Sequence, residues 1–222
     1  MTHPSTPSLL LLLLLGAVVL SGCVSEGQER NEDLDAFQVE GDPYLGNREA
    51  EVVVVAFESP LCSGCKHFHE SILPDLTERY FTPDGSVVFY FKQFDTYGRT
   101  GHAADERALQ IALECTARTS NDGFWALTHV LYADQFKVGE DNIREVMESV
   151  ADDAGFDGEA VFACYDAAGS EPDVEADIQV ARDLGIRGTP SFFVIGPTGP
   201  ATRTNDLVQT IEDKLDDVDT TA

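Results

Sequence analysis

Cys62-Ser63-Gly64-Cys65 is the part of this 222-residue sequence best equipped for chemistry. Two cysteines at this spacing lie one helical turn apart, so a thiolate on the first can exchange with an external disulfide and the second can attack the mixed disulfide that results. The run Val52-Val53-Val54-Val55-Ala56-Phe57 precedes them and a helical pattern follows, which puts the pair where a buried strand turns into a helix. A helix start offers unpaired N–H groups and a positive dipole end, both of which favour a thiolate and make Cys62 the nucleophile. The segment also has ligand-rich spacing in Cys62, Cys65, His67 and His69. On a single helix, however, His67 and His69 point about 200° apart, and zinc sites built on CxxC usually draw a second ligand pair from elsewhere. Thiol–disulfide exchange is therefore preferred to metal binding, with no metal and no other cofactor required.

The elements that must hold this pair are legible around it. Val87-Val88-Phe89-Tyr90-Phe91 and Phe192-Phe193-Val194-Ile195 are further β-branched and aromatic runs of the kind that fill strands buried on both faces. Between the first two runs the pattern predicts a helix over about 63–80, kinked at Pro74, and β-α-β of this kind builds a parallel sheet covered by helices. From about Gly101 to Gly185 the strand signal disappears. Ala104, Ala108, Ile111 and Cys115 form a stripe at helical spacing, and short helices follow around Phe124–Tyr132, Ile143–Val150 and Glu159–Ala168. A helical block is thus inserted between two halves of an α/β domain. Gly188-Thr189-Pro190 stands directly before the last strand; such a sequence is a turn, and a proline there, in a chain with strand–CxxC–helix, suggests a cis-proline held against the dithiol.

With these residues in order, the chain resembles the DsbA-like thiol-disulfide oxidoreductases of the thioredoxin superfamily. The resemblance is carried by Phe57 through Cys62-Ser63-Gly64-Cys65-Lys66-His67-Phe68-His69, Leu73-Pro74, Glu114-Cys115, Phe124-Trp125, Phe162-x-Cys164 and Gly185-Ile186-x-Gly188-Thr189-Pro190-Ser191-Phe192-Phe193-Val194, spread over roughly residues 50–217. It implies a thioredoxin fold with an inserted helical subdomain, Cys62 as attacking thiol, Cys65 as resolving thiol, Pro190 as cis-proline and Thr189 as the residue whose backbone pairs with a bound substrate chain. Two positions depart from the pattern. Ser63-Gly64 replaces the Pro-His of the best-known oxidases, and Ala56 stands where some members carry an acid six positions before the nucleophile. Glu58 is nearby; it is read as an exposed loop carboxylate, with a proton relay to Cys65 as the alternative. Cys115 and Cys164 are either two buried small hydrophobes or, as in several relatives, a structural disulfide across the inserted helices.

Charge and cysteine count set the context. Forty Asp and Glu against 14 Lys and Arg leave a formal charge of −26, which repels phosphate backbones and excludes a nucleic-acid partner. Low Lys with abundant Asp resembles the proteins of halophilic archaea, in which molar salt screens such self-repulsion. Residues 1–22 lack Asp, Glu, Lys and Arg and contain an apolar run, Leu9 to Leu20, that ends at Leu20-Ser21-Gly22-Cys23. This reads as a signal peptide with a lipidated Cys23, an uncleaved anchor being the alternative. The expected organisation is a signal peptide over 1–22, a lipid-anchored acidic stalk over 23–48, a thioredoxin-like domain over 49–217 with its helical insertion at about 101–175, and a tail over 218–222. The expected protein works at the outer face of the membrane, where disulfides persist. Its partners are reduced or misoxidised exported proteins, a membrane redox partner that resets the dithiol, and the membrane itself through the lipid. Introduction of disulfides is the leading task. Reduction or isomerisation, maturation of haem or copper proteins, and metal chaperoning through Cys62, Cys65 and a His are the alternatives.

Overall fold

Stiff Val and flat Phe and Tyr side chains give the chain a five-stranded sheet of β1 (Tyr44–Gly46), β2 (Val52–Glu58), β3 (Val87–Gln93), β4 (Ser191–Ile195) and β5 (Thr202–Thr204). The computed structural model describes residues 34–96 and 102–221. The strand order is β1-β3-β2-β4-β5. β2 and β3 run parallel, from Val52 beside Val87 to Glu58 beside Gln93, while the β1–β3, β2–β4 and β4–β5 pairs are antiparallel. Every residue of β2 and β3 is buried, because both faces of the sheet are covered.

α1 (Ser63–Ser71) and α2 (Leu73–Arg79) link β2 to β3. Together they occupy the stretch predicted as one kinked helix. The chain breaks at Ile72, whose φ of −120° is not helical, and Pro74 falls in the first turn of α2, where its missing N–H is harmless. Next come α3 (Ala103–Thr119), α4 (Asn121–Ala133), α5 (Ile143–Ala154), α6 (Gly158–Asp166) and α7 (Glu171–Asp183), with α8 (Leu207–Thr221) at the end. One apolar cluster joins Val52, Val54, Ala56, Phe89 and Phe91 to α1, α2, α8 and the inserted helices. The other joins Val53, Val55, Phe57 and Phe193 to Phe37, Val180 and Ala181. α7 therefore packs on the sheet itself, beyond the insertion expected to end near 175. Cys115 on α3 and Cys164 on α6 are disulfide-bonded, with 5.6 Å between their Cα atoms.

The acidic stretch expected as stalk up to residue 48 belongs to the domain from residue 34 onward. Phe37 lies under the sheet with its ring 5.1 Å from that of Phe193 and 6.4 Å from that of Phe57. β1 then pairs along the edge of β3. It ends at Gly46, whose φ of +94° and 2.5 Å clearance from an added Cβ to the Val87 carbonyl admit no side chain. The segment is also held by charge. Lys92 is buried, with its ammonium 2.5 Å from Asp42 and 2.6 Å from Asp177. Burial, then repulsion from Asp177, pushes Asp42 up to about 7 and Glu114 up to about 8. The expected tail is likewise part of α8 as far as Thr221. The signal peptide and Cys23 lie outside the described residues. Among the described residues no helix is long and apolar enough to cross a membrane.

Candidate active site

Cys62 is the N-cap of α1, and its sulfur accepts a hydrogen bond from the Cys65 amide at 3.4 Å. Its thiol donates to the Thr189 carbonyl at 3.2 Å, across a cis Thr189–Pro190 peptide bond. Gly64 permits this approach: an added Cβ there would stand 3.1 Å from Pro190 Cδ and 3.6 Å from both Cys62 Sγ and the Thr189 carbonyl. The strand end, the helix start and the turn before β4 thus converge on one half-buried sulfur.

The electrostatics separate the two thiols. Hydrogen bonding from the Cys65 thiol, outweighing burial, lowers Cys62 from 9.0 to about 6, with help from the Thr189 side chain and the amides of Cys65 and Gly64. Loss of its own proton breaks the bond from Cys62 to the Thr189 carbonyl; the Thr189 hydroxyl oxygen is buried with no hydrogen-bond partner among the described residues. Cys65 moves the opposite way, raised by burial, then by its bond to Cys62 and by the charge of Glu58. Cys62 is therefore a good nucleophile and leaving group near neutral pH, whereas Cys65 holds its proton until it is used. Lys66 takes no part in this. Its ammonium is bound by the Tyr132 and Ala133 carbonyls and by Glu70.

Glu58 is a fully buried residue at the end of β2 and not an exposed loop carboxylate. It continues the Val52, Val54, Ala56 row, two residues per step, into the face covered by α1 and the insertion. Its Oε2 lies 2.9 Å from His69 Nε2 and 3.3 Å from the Tyr132 hydroxyl. The ligand set considered from spacing is not gathered: His67 is exposed, His69 turns inward to Glu58, and no group of three or more suitable side chains forms among the described residues.

Three contributors had no signal in the sequence. Gln135 donates from Nε2 to the carbonyls of Pro60 and Cys62, both at 3.0 Å. Tyr132 reaches Glu58 and, at 3.2 Å, the Ser59 carbonyl. Glu106, buried on α3, accepts from the Ser59 hydroxyl and, at 2.6 Å, from the Thr96 hydroxyl, tying the loop before Cys62 to the loop after β3. All three come from the insertion, more than 40 residues away along the chain.

Comparison with known proteins agrees with this geometry. A protein named as a protein-disulfide oxidoreductase in Rickettsia prowazekii is 24% identical over 180 residues, 80% of this chain and 63% of its own length; the chain thus spans about three fifths of that relative. A protein named as disulfide bond formation protein D in Bacillus anthracis is 26% identical over 192 residues, covering 85% of this chain and 84% of the relative. Among solved structures, oxidised BdbD from Bacillus subtilis superposes with a TM-score of 0.66 at 23% identity, over 80% of this chain and 95% of that one. Wolbachia pipientis alpha-DsbA1 gives 0.64 at 15% identity, over 81% and 94%. These two establish the shared fold, a thioredoxin core with a helical insertion. The family model described as thioredoxin matches residues 38–213, and the chain belongs to that family.

Proposed function

We propose that the protein is a thiol-disulfide oxidoreductase that introduces disulfides into exported proteins. The observation that carries the reading is the division of labour at the dithiol. A Cys62 thiolate held at about 6 stabilises the reduced site, which makes its disulfide oxidising, while Cys65 stays protonated. A substrate thiolate attacks Cys62, Cys65 leaves, and a second substrate thiol then displaces Cys62 to complete the new disulfide. The relatives named for disulfide bond formation support this direction. The value of about 6 lies between the free thiol near 8.5 and the lowest known examples near 3.5, that of an intermediate oxidant.

The location is part of the same proposal. Leu20-Ser21-Gly22-Cys23 supports lipid attachment at Cys23 and work at the outer membrane face, beside a membrane partner that re-oxidises the dithiol. The Lys-poor, acid-rich composition supports adaptation to high salt. To test the activity, oxidised protein is mixed with a reduced, unfolded protein substrate and substrate disulfides are counted. Stoichiometric oxidation, abolished in Cys62→Ala, is expected. A reduction potential as low as about −270 mV, with fast reduction of protein disulfides, would identify a reductase instead.

A further inference from the structure

The turn after α4 holds an aromatic residue in a backbone conformation that aromatic residues avoid. Phe136 has a φ of +67°, in the left-handed region where Cβ crowds the backbone and a bulky residue is an outlier. Its side chain is nonetheless outside: at 54% it is the most exposed large apolar side chain among the described residues. The other non-glycine residues with positive φ among the described residues, Gln38 and Ala168, serve the fold. Gln38 turns its carbonyl to the Lys92 ammonium, and Ala168 ends α6 so that the Gly169 amide reaches the Cys164 carbonyl.

For Phe136 the fold explains the backbone but not the side chain. Gln135 before it donates to the Pro60 and Cys62 carbonyls, Val138 after it is buried, and the Lys137 amide closes the turn on the Asp134 carbonyl. Glycine or asparagine would meet the same turn with less strain. The ring of His102, 5.7 Å away, is itself exposed, and the charges around the patch are paired among themselves, Asp134 with Lys137 and Asp105 with His102. A strained, exposed phenylalanine therefore gains the fold little, which is the mark of a residue kept for contact with something else.

Its position names that contact. The turn is bound to the reactive loop from both directions, by Gln135 on the Cys62 carbonyl and by Lys66 on the Tyr132 and Ala133 carbonyls. In exchange, a substrate thiolate attacks Cys62 Sγ; the new sulfur–sulfur bond forms as the Cys62–Cys65 bond breaks, and the electron pair leaves on Cys65. The substrate chain is then tethered at Cys62, and residues two to four places from its cysteine lie about 7–13 Å away, a reach that includes the turn bound to the Cys62 carbonyl. Cysteine is among the most buried residue types in folded proteins, so apolar neighbours beside a reactive cysteine mark a chain that has not yet folded.

We propose that Phe136 is a specificity-determining residue: it packs on an apolar side chain flanking the cysteine of an unfolded polypeptide engaged at Cys62. It thereby favours such chains over small thiols and over cysteines in polar surroundings. This rests on exchange at Cys62–Cys65 but not on its direction.

The test uses two short peptides, one with leucine on both sides of its single cysteine and one with serine there, and dithiothreitol as a thiol without a chain. Reduction of the Cys62–Cys65 disulfide by each is followed by acid quench, alkylation and mass. Wild-type protein should react faster with the leucine peptide. In Phe136→Asn that rate should fall about 5-fold or more, as expected for loss of a partly buried apolar contact, while the serine-peptide and dithiothreitol rates stay within 2-fold. Phe136→Leu should keep most of the preference. The Cys62 thiolate titration should stay near 6 in both variants, and Phe136→Asn and Phe136→Gly should match or exceed wild type in urea midpoint, since both accept the turn. A leucine preference absent from wild type or unchanged in Phe136→Asn overturns the proposal, as does an equal loss with all three reductants. Dimerisation in sedimentation that Phe136→Asn abolishes while the peptide preference stays would give the patch to a second copy of the chain and overturn it too. A wild-type disulfide inert to dithiothreitol would instead defeat the exchange reading itself.

Discussion

The dithiol form should lose stability in acid that the disulfide form keeps. Cys62 titrates at about 6 in the folded dithiol and at about 8.5 once the chain is unfolded. A folded pKa below the unfolded one adds stability that is complete above the unfolded value and lost as the pH falls through 6. Between pH 8 and pH 5 this amounts to about 2.5 kcal/mol for a well-shielded sulfur. Cys62 is half-exposed, and screening by water reduces the figure to about 1.5 kcal/mol. Cys65, raised by burial, acts with the opposite sign but only above its unfolded value of about 8.5, outside this window. In the disulfide form neither sulfur titrates, and groups remote from the pair cancel when the two forms are compared. Urea unfolding of both forms at pH 5, 6, 7 and 8 gives the difference directly. The dithiol should gain about 1.5 kcal/mol on the disulfide as the pH rises, and Cys62→Ser should remove the gain. The same energy makes the disulfide about 30 mV more oxidising at neutral pH than an unassisted pair. A difference constant across the window, or one that moves the other way, would refute the assignment of Cys62 as the stabilised thiolate.

Other expectations are equally open to measurement. Thr189→Val removes a buried side-chain hydroxyl that helps to lower Cys62 and should raise its pKa by about one unit, read from thiolate absorbance. Replacing Cys115 and Cys164 together by Ala reopens a loop of sequence separation 49. It should cost about 4 kcal/mol, seen as a fall of about 8–16 °C in Tm, with the Cys62 titration unmoved. The raised Glu114 and Asp42 have the opposite linkage to Cys62: their contribution is complete below the ordinary carboxylate range and is lost as the pH rises through 7 to 8. Glu114→Gln should accordingly stabilise by about 1 kcal/mol at pH 8 and leave stability unchanged at pH 4, tested by denaturant unfolding at both pH values.

What the sequence made legible is what depends on short-range pattern. The Cys62–Cys65 spacing, the two buried central strands and the helix start are local, and each is where the pattern placed it. β1 and β5 left no trace because three half-exposed edge residues carry no periodicity. Phe37 sits in an acidic stretch where Leu34 and Val39 are its nearest cluster neighbours in sequence; its ring partners, Phe57 and Phe193, are brought to it only by closure of the sheet. Glu58 was misjudged for a different reason. The apolar run that marks the strand stops at Phe57, one residue short of it, although the two-residue alternation from Val52 points its side chain inward. Tyr132, Gln135 and Glu106 are ordinary residues on ordinary helices until tertiary contact sets them against the loop before Cys62.

The hydrogen bonds from Gln135 to the Pro60 and Cys62 carbonyls, and those from Lys66 to the last carbonyls of α4, limit how far this site is portable. A chimera that moved only β2, α1 and the cis-proline turn into a bare thioredoxin scaffold would carry over both sulfurs but not the braces that set the loop presenting them. The insertion is thus a component of the reactive centre. Reactivity and insertion should be inherited, exchanged or redesigned as one piece, with the seam drawn at the loops before α3 and after α6.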